Sequence, residues 1–385
     1  KSMQFSSNDG LVELYAEIIL HDVLDHIFSF LSIYDLNQAA SVCKSWRNAA
    51  QIERSRRGPQ VMLLQALEDF VATKFSNLSP AHRNEAIDDY KLCLRIKPRI
   101  GIFFTDGKYP ASADCDNVPY EICKTHRWTR PVDCFYVAIE ALAVNKNEDV
   151  IGGERNITAA VFLPELPAVN YVIAETSSHS IEQYFRSGGS LLTDIADKLF
   201  AKEADHTCFL IFLYQWKDEP TYENHHSNFL DMVLDGMKSR YAPGTYSLWG
   251  GAINDIFTIA KDENLPYQST SFCAMGISGS SMMSWSIVID HRMQQFEIEE
   301  KLQNFKTNVR LQSSSIAFLI LPTLRDNIDR SRLDIFKNIF PTITLMSIYN
   351  DKNNAVLSLE SMNLECNPEL KHFNSYAYVI LTYKK

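Results

Sequence analysis

A serine between glycines, in the run GISGS at residues 276–280, is the first feature of the sequence that could carry a reaction. One class of hydrolases exposes its nucleophile in a Gly-x-Ser-x-Gly turn, which needs glycine at its last position. Here Ser280 stands at that position, so the turn is incomplete. We therefore expect Ser278 to lie at a strand end and not to act as a nucleophile.

Cysteines and histidines that lie close in sequence could bind a metal ion. Cys115, Cys123 and His126 offer three zinc ligands, but a structural zinc site needs four ligands with regular pairing, which these three lack. His225 and His226 stand in a charged stretch where adjacent side chains diverge, and they are expected in a solvated loop. Neither group predicts a metal site.

Two glycine pairs, at 152–153 and 188–189, raise the question of a phosphate-binding turn. Both lack the further glycines and the Lys-Ser/Thr of such a loop, so ordinary turns explain them. No set of residues carries a recognisable reaction. The sequence therefore predicts a non-catalytic protein without a cofactor.

Composition sets the class of the protein. A chain of 385 residues is longer than one hydrophobic core supports, which predicts about two to three domains. The content of hydrophobic residues (46%) and of charged residues (22%) is that of a folded globular protein. A net charge of -10 opposes a nucleic-acid partner, because phosphates require clustered Lys and Arg. The basic run 54–57 is expected to be a solvated helix end.

The cysteines and the apolar runs indicate the compartment. Eight cysteines without regular spacing predict no disulfide framework, which favours a reducing environment. The longest apolar runs, such as Ile316–Leu321, are far below the ~18 residues that span a bilayer. We expect no membrane association and a cytoplasmic or nuclear location.

The N-terminal sixty residues have helical periodicity. From Ile19 the apolar residues fall on one face, which predicts an amphipathic helix. A second helix is predicted with Asp35 as its N-cap and Gln38 as the capping-box partner. Gly58-Pro59 ends this small helical bundle.

The remainder has a different pattern. Residues 61–92 are predicted to form two connecting helices, and from Ile100 short β-rich runs alternate with helices. The strands are expected at Gly101–Thr105, Cys134–Val144, Thr158–Leu163, Tyr171–Ala174 and Cys208–Tyr214. The helices are expected at Ile181–Ala201, Asn228–Tyr241 and Arg330–Ile339. The expected fold class is thus α+β or α/β, a small helical module followed by a large mixed α/β domain.

The predicted domain limits follow from these changes of pattern. The helical module covers 11–58, a helical connector 59–94, and the α/β domain 95–385, divided into 95–225 and 226–385. The α/β domain contains a weak internal duplication. The runs FLIFL at 209–213 and AFLIL at 317–321 are each followed by a charged segment, a helix with Leu-Asp, then Pro, Thr and another strand. A further strand is expected to close each unit, at Ala274–Ser278 and Tyr376–Leu381.

Residues 19–47 resemble the F-box. The pattern is an acidic residue, an apolar helix, an Asp-Leu pair and a Val-Cys-x-x-Trp ending, and its most specific part here is SVCKSWRNAA at 41–50. Leu20 stands where the family usually has proline. The pattern is matched by these residues: Ile19, Asp22, Val23, Leu24, Ile27, Phe28, Leu31, Asp35, Leu36, Val42, Cys43 and Trp46.

The resemblance implies a set of partners. F-box modules bind Skp1, which joins them to cullin-1 and a RING protein in a ubiquitin ligase, and the rest of the chain then holds the protein substrate. The module alone would be too small to bury its own apolar stripe. The residues implied to bind Skp1 are Leu20, Val23, Leu24, Ile27, Phe28, Leu31, Leu36, Val42, Cys43 and Trp46. The alternative is a helical hairpin that packs on its own C-terminal domain.

From Ile96 onward the chain is similar to FIST (F-box and intracellular signal transduction) domains. The resemblance rests on LWGGAIND at 248–255, AMGISGS at 274–280 and the segment from SIAFLILP at 315–322 to SIYNDKN at 347–353. It implies a substrate receptor of an SCF (Skp1, cullin, F-box) ligase. The alternative function is a signalling protein whose FIST domain senses a small ligand.

The substrate surface is expected on loops of the α/β domain, because rigid strands can present variable segments to a partner. The stretch QWKDEPTYENHH at 215–226 combines aromatic and charged residues, with Trp216 and Tyr222 as anchors. Its counterpart is the loop 325–332, which begins at Arg325. The alternative is that both are solvated loops.

Overall fold

The computed structural model of the protein describes most of the chain in fifteen segments. These are residues 22–64, 94–106, 135–141, 143–146, 149–151, 158–200, 206–214, 220–242, 244–253, 256–259, 268–312, 314–322, 326–350, 355–359 and 369–384. Throughout these segments, every helix is too short or too polar to cross a membrane.

Three helices form a bundle at the start of the described chain. They are α1 (residues 22–28), α2 (Ile33–Val42) and α3 (Lys44–Arg56). Leu24, Phe28 and Leu36 are fully buried among small alanines of α2 and α3. The bundle therefore has its own small core, formed by residues that recur at helical spacing.

The helix boundaries in the bundle differ from the prediction. The N-cap of α2 is Ser32 and not Asp35, because the Asp35 N–H donates to Ser32 Oγ at 3.1 Å. Ser32 Oγ in turn donates to Asp35 Oδ2 at 2.8 Å, so Asp35, at the third helical position, contacts the cap with both its amide and its carboxylate. The predicted second helix is two helices, since Cys43 is extended and its Sγ accepts from Trp46 N–H at the start of α3.

After the bundle, the described segments contain strands and five further helices. The strands are β1 (Gln60–Leu64), β2 (Pro98–Asp106), β3 (Phe135–Ala141), β4 (Ala143–Lys146), β5 (Asp149–Ile151), β6 (Thr158–Pro164), β7 (Asn170–Thr176), β8 (Thr207–Tyr214), β9 (Tyr246–Ile253), β10 (Ile256–Ile259), β11 (Gln268–Ser269), β12 (Phe272–Ser278), β13 (Met282–Asp290), β14 (Ser314–Pro322), β15 (Thr344–Asn350), β16 (Val356–Ser358), β17 (Lys371–His372) and β18 (Ser375–Tyr383). The helices are α4 (Ser178–Ser187), α5 (Leu191–Leu199), α6 (Pro220–Arg240), α7 (Gln295–Asn308) and α8 (Asp326–Ile339).

The strands of these segments form three six-stranded sheets, which with α4 to α8 are called the sheet region below. The first sheet has the order β1-β6-β2-β3-β10-β11, the second β17-β16-β9-β8-β12-β7 and the third β13-β18-β14-β15-β4-β5. A helical bundle followed by a mixed α/β region confirms the predicted fold class.

The second and third sheets repeat one topology. In each, a central strand pairs in parallel with the strand after its helix, β8 with β9 and β14 with β15. The same central strand pairs antiparallel with the closing strand, β12 or β18. The outer neighbours β7 and β13 are also antiparallel to those closing strands. The predicted duplication, with its two closing strands, is therefore confirmed at the level of strand order and direction.

A central core lies between the three sheets, and helices cover the outer faces of the second and third. Along β8, Cys208, Leu210 and Phe212 point into the central core, whereas Phe209 and Ile211 contact the cluster formed with α4, α5 and α6. β14 alternates in the same way between the central core and the cluster formed with α7 and α8. This period-two pattern is what strands with both faces buried require.

Residues 60–64 are a strand and not the start of a predicted helix. β1 pairs antiparallel with β6 along its whole length, from Gln60 opposite Phe162 to Leu64 opposite Thr158. A short apolar run is compatible with a helix or a strand, and here the pairing with β6 makes it a strand. The rest of the predicted connector, 65–93, lies outside the described residues. The domain limits themselves stay a prediction.

Three further local predictions differ from the structure. The predicted helix Ile181–Ala201 is two helices, because Gly188 and Gly189 both adopt positive φ after α4. α6 begins at Pro220, so the predicted loop 215–226 becomes helical there and the division at 225/226 falls inside that helix. The predicted loop 325–332 is helical from Asp326. Helix α7 was not predicted.

Candidate partner-binding surface and buried polar cluster

Six large side chains with apolar character are exposed on the three-helix bundle. Phe30 is 73% exposed, Val42 63%, and Val23 and Ile27 48% each. Tyr34 and Ile52 are also exposed large side chains of the bundle. Isolated apolar residues on a surface are ordinary, but several on one small bundle are typical of a surface that a partner covers. We call the residues Val23, Ile27, Phe30, Tyr34, Val42 and Ile52 the apolar face.

The structure divides the residues predicted to bind Skp1 into two groups. Leu24, Phe28 and Leu36 lie inside the bundle, where a partner cannot contact them. Leu31 and Trp46 are half-buried and pack on that core, with the Trp46 ring edge-on to Phe28 at a centroid distance of 5.4 Å. These five residues contribute mainly to the core of the bundle and little to its exposed surface.

The other group is exposed. Val23, Ile27, Val42 and Cys43 lie at the surface of the bundle. Leu20 lies outside the described residues. The sequence pattern missed the surface residues Phe30, Tyr34 and Ile52. Phe30 follows Val23 and Ile27 at spacings of seven and three residues, which could have indicated it.

The basic run 54–57 is not simply solvated, which corrects the prediction. Arg57 is buried and its Nε donates to Glu53 Oε1 at 2.9 Å. Burial lowers the pKa of Arg57, while the hydrogen bond and negative charge of Glu53 oppose that change. Arg56 pairs with Asp25 at 2.7 Å, which ties α3 to α1. The run 54–57, which the sequence pattern predicted to be solvated, thus holds the helices of the bundle together.

The residues predicted to bind a substrate are described only in part. Trp216 and Arg325 lie outside the described residues. Tyr222 stands in the first turn of α6 and not in a loop, and its side chain is outside the description. Helix formation at this point has a local cause, because Pro220 suits the first helical position and the face beyond it packs on the second sheet.

His225 and His226 are also on α6, which corrects their predicted place in a solvated loop. The His225 ring stacks on Phe185 of α4 at a centroid distance of 4.9 Å. His226 is buried. The described part of the charged stretch, 220–226, therefore forms about the first two turns of a helix whose inner side is already covered.

A buried polar cluster joins the second and third sheets. His206 Nε2 lies 2.7 Å from Ser284 Oγ of β13, which lies 2.5 Å from Ser247 Oγ of β9. Both hydroxyls are buried, and the Cys208 thiol interacts with the same two serines. Burial lowers the pKa of His206 and raises the pKa of Cys208 to about 11. A neutral thiol and two inaccessible hydroxyls connect the sheets and cannot reach a substrate.

The remaining residues considered for catalysis or metal binding are Ser278 and the possible zinc ligands. Ser278 is an extended residue that pairs with Asn170 and Thr207 at the end of β12, as predicted. Within the described segments, His, Cys, Asp and Glu form no group of three that could hold a metal ion. Cys115, Cys123 and His126 lie outside those segments.

Comparison with known protein families identifies the kind of domain that the bundle forms. Residues 21–55 match the family model described as F-box-like, so the chain contains an F-box-like domain. The match spans α1, α2 and nearly all of α3. A search of curated proteins found no match.

Proposed function

We propose that the chain is the substrate-recognition subunit of an SCF-type ubiquitin ligase. One observation carries the proposal: the F-box-like domain closes a core of its own and still exposes the apolar face. F-box modules typically bind Skp1. The apolar face gives Skp1 a contact that removes large side chains from water, and it leaves the sheet region free to hold a substrate.

The sheet region is proposed as a FIST-type substrate domain, in an architecture similar to that of F-box only protein twenty-two. Its role is non-catalytic: it holds a target protein near the ubiquitin-loaded enzyme and so raises the effective concentration of the target. Cullin-1 and a RING protein join through Skp1. Such ligases act in the cytoplasm or nucleus, which is the location we propose.

The test is co-purification with Skp1 and cullin-1 from cells. The double variant Ile27→Ala/Phe30→Ala removes two exposed side chains without opening the bundle core. If each is a binding hot spot, each loss costs about 2–4 kcal/mol, and Skp1 recovery should fall to background. Trp46 is unsuitable for this test because it packs on Phe28 and its loss would loosen the fold.

The matched control is Phe296→Ala/Phe373→Ala. Both residues are exposed phenylalanines, 67% and 62%, and both lie in the sheet region. This variant should recover as much Skp1 as the unchanged protein. Equal recovery by both double variants would contradict the proposed binding to Skp1. It would favour the alternative, a signalling protein that senses a small ligand and needs no Skp1.

A further inference from the structure

The buried Arg57 side chain joins three separate segments. Its Nε donates to Glu53 Oε1 at 2.9 Å within α3, and its Nη2 donates to the Phe28 carbonyl at the end of α1 at 2.7 Å. Its Nη1 donates to the carbonyl of Arg95, three residues before the start of β2. Two of these acceptors belong to the bundle and the third to the sheet region.

Other hydrogen bonds cross the same joint. The Ile33 N–H, at the start of α2, donates to the Leu94 carbonyl at 2.8 Å. Arg95 Nη2 donates to the Ser29 carbonyl, in the turn before α2. Next to these bonds, the Arg95 N–H donates to Gln60 Oε1 at 2.8 Å, where β1 begins directly after the connection from α3. The bundle is therefore bonded to the segment 94–95 at two places, in the turn before α2 and directly after α3.

The covalent connection at this joint is short. α3 ends at Arg56 and β1 begins at Gln60, so a few residues lead from the bundle into the first sheet. At the start of that connection, Ser314 Oγ of β14 donates to the carbonyl of Arg56, the last residue of α3, at 3.1 Å. A connection of this length, bonded to the third sheet as well, leaves little freedom for the two parts to rotate.

Arginine is chemically suited to this position. Its planar guanidinium carries five N–H donors in a fixed fork, so one side chain can satisfy three acceptors in different directions. The Glu53 side chain beside it is 8% exposed and compensates its charge. A lysine could pair with Glu53, but its single ammonium group cannot reach the same three acceptors in the same geometry.

We propose that Arg57 is a positioning residue, which fixes the orientation of the F-box-like domain against the sheet region. The inference rests on the proposed function, because a fixed joint would hold a target protein at a constant distance and direction from the ubiquitin-loaded enzyme. Arg57 contributes by bridging Glu53, Phe28 and Arg95, and not through contact with Skp1 or the target.

The first experiment measures amide hydrogen exchange of the full chain by mass spectrometry. In Arg57→Met and Arg57→Lys, peptides that contain the Ile33 and Arg95 amides should exchange about tenfold faster or more, because the joint opens locally. Peptides from β12 and β18 should keep their protection, which shows that the sheets stay folded. Arg56→Met is the matched control: it removes the same charge one residue earlier, at an exposed ion pair.

The lysine variant separates the two roles of Arg57. If Arg57 only compensates the buried Glu53 carboxylate, Arg57→Lys should exchange like the unchanged protein and only Arg57→Met should differ. Because Arg57→Met leaves Glu53 buried without its partner, Glu53→Met/Arg57→Met is included as an apolar pair of similar volume. It should be folded and still show the faster exchange at Ile33 and Arg95. Unchanged exchange at both amides in this variant and in Arg57→Lys would overturn the proposal.

The second experiment measures self-ubiquitination of the chain assembled with Skp1, cullin-1 and the RING protein. A fixed joint should restrict modification to a small set of lysines, and Arg57→Lys should enlarge that set while Skp1 recovery stays the same. An identical set of modified lysines would contradict the positioning role. A chain that does not assemble with Skp1 at all would overturn the proposed function, whereas the exchange experiment would still decide the role of Arg57.

Discussion

Gly58 packs directly against the Ser314 side chain, at the point where the chain leaves α3 and approaches the third sheet. A methyl group added at Gly58 would overlap the Ser314 Cβ and would lie 2.8 Å from its Oγ and 2.9 Å from its Cα. Glycine is required here by close approach and not by its backbone angles. The contact brings residues 256 positions apart, 314 − 58, into one joint.

This contact predicts that Gly58→Ala is destabilising. Because the overlap involves the backbone of Ser314 as well as its side chain, β14 or the connection must shift, and the free energy of unfolding should fall by about 1–3 kcal/mol. Chemical denaturation of the full chain measures the change. Gly236→Ala is the control, since its added methyl meets only the Phe200 ring at 3.7 Å. That variant should match the unchanged protein or gain up to ~1 kcal/mol, because alanine favours a helix.

The cap of α2 leads to a second prediction. Ser32 Oγ satisfies the Asp35 N–H, so Ser32→Ala leaves that amide without its acceptor and should cost the bundle about 0.5–2 kcal/mol. Hydrogen exchange of the α2 amides detects the loss even if the sheet region stays folded. Ser41→Ala removes an exposed hydroxyl near the other end of the same helix, and its effect should stay within about 0.5 kcal/mol. Equal effects at the two serines would argue against the cap.

The sequence predicted the parts of the fold that depend on local periodicity. Strands β2, β6, β7 and β8 and the helical bundle all carry the apolar spacing that their structure needs, and the repeated strand motifs indicated the duplication. β1 was missed because the run that begins at Gln60 is short and apolar, a pattern that a helix and a buried strand share. Its partner β6 lies about a hundred residues away, and that pairing decides the structure.

The candidate surface was predicted only in outline for a related reason. A helical stripe shows which residues share a face, but not whether that face turns inward or outward. Phe28 and Ile27 are neighbours in the matched pattern, yet Phe28 is fully buried and Ile27 is about half exposed. The sequence could not show that Arg57 is buried. Two of its acceptors are the backbone carbonyls of Phe28 and Arg95, and the types of those residues do not indicate that their carbonyls lie near Arg57.

A third prediction concerns the contact between the second and third sheets. The fully buried Trp249 of β9 donates from Nε1 to the Ala377 carbonyl of β18 at 3.0 Å. Its ring also lies against Phe318 of β14, at a centroid distance of 5.2 Å. Trp249→Phe keeps an aromatic ring but loses the hydrogen bond and leaves a gap, so the free energy of unfolding should fall by about 1–3 kcal/mol. A loss below the error of urea denaturation would show that this tryptophan does not connect the sheets.

The last prediction is a pH dependence that arises at His206. Burial lowers the pKa of its imidazole below the ordinary value of 6.5, and the hydrogen bond with Ser284 only partly opposes this. Between the folded and unfolded pKa values the unfolded chain therefore binds the proton more readily than the folded chain. Stability from neutral His206 is fully present above about pH 6.5, is lost progressively as the pH falls below that value, and is completely lost below the lower folded pKa.

His206→Gln tests this dependence, because a glutamine amide can still reach Ser284 but does not titrate. Urea denaturation of both proteins at about pH 7.5, 6.5, 5.5 and 5.0 gives the free energy of unfolding at each pH. The unchanged protein should lose more stability than the variant between about pH 6.5 and 5.0, so the difference between the two should shift in favour of the variant as the solution becomes acidic. Parallel curves for the two proteins over this range would show that His206 is not buried in its neutral form between the sheets.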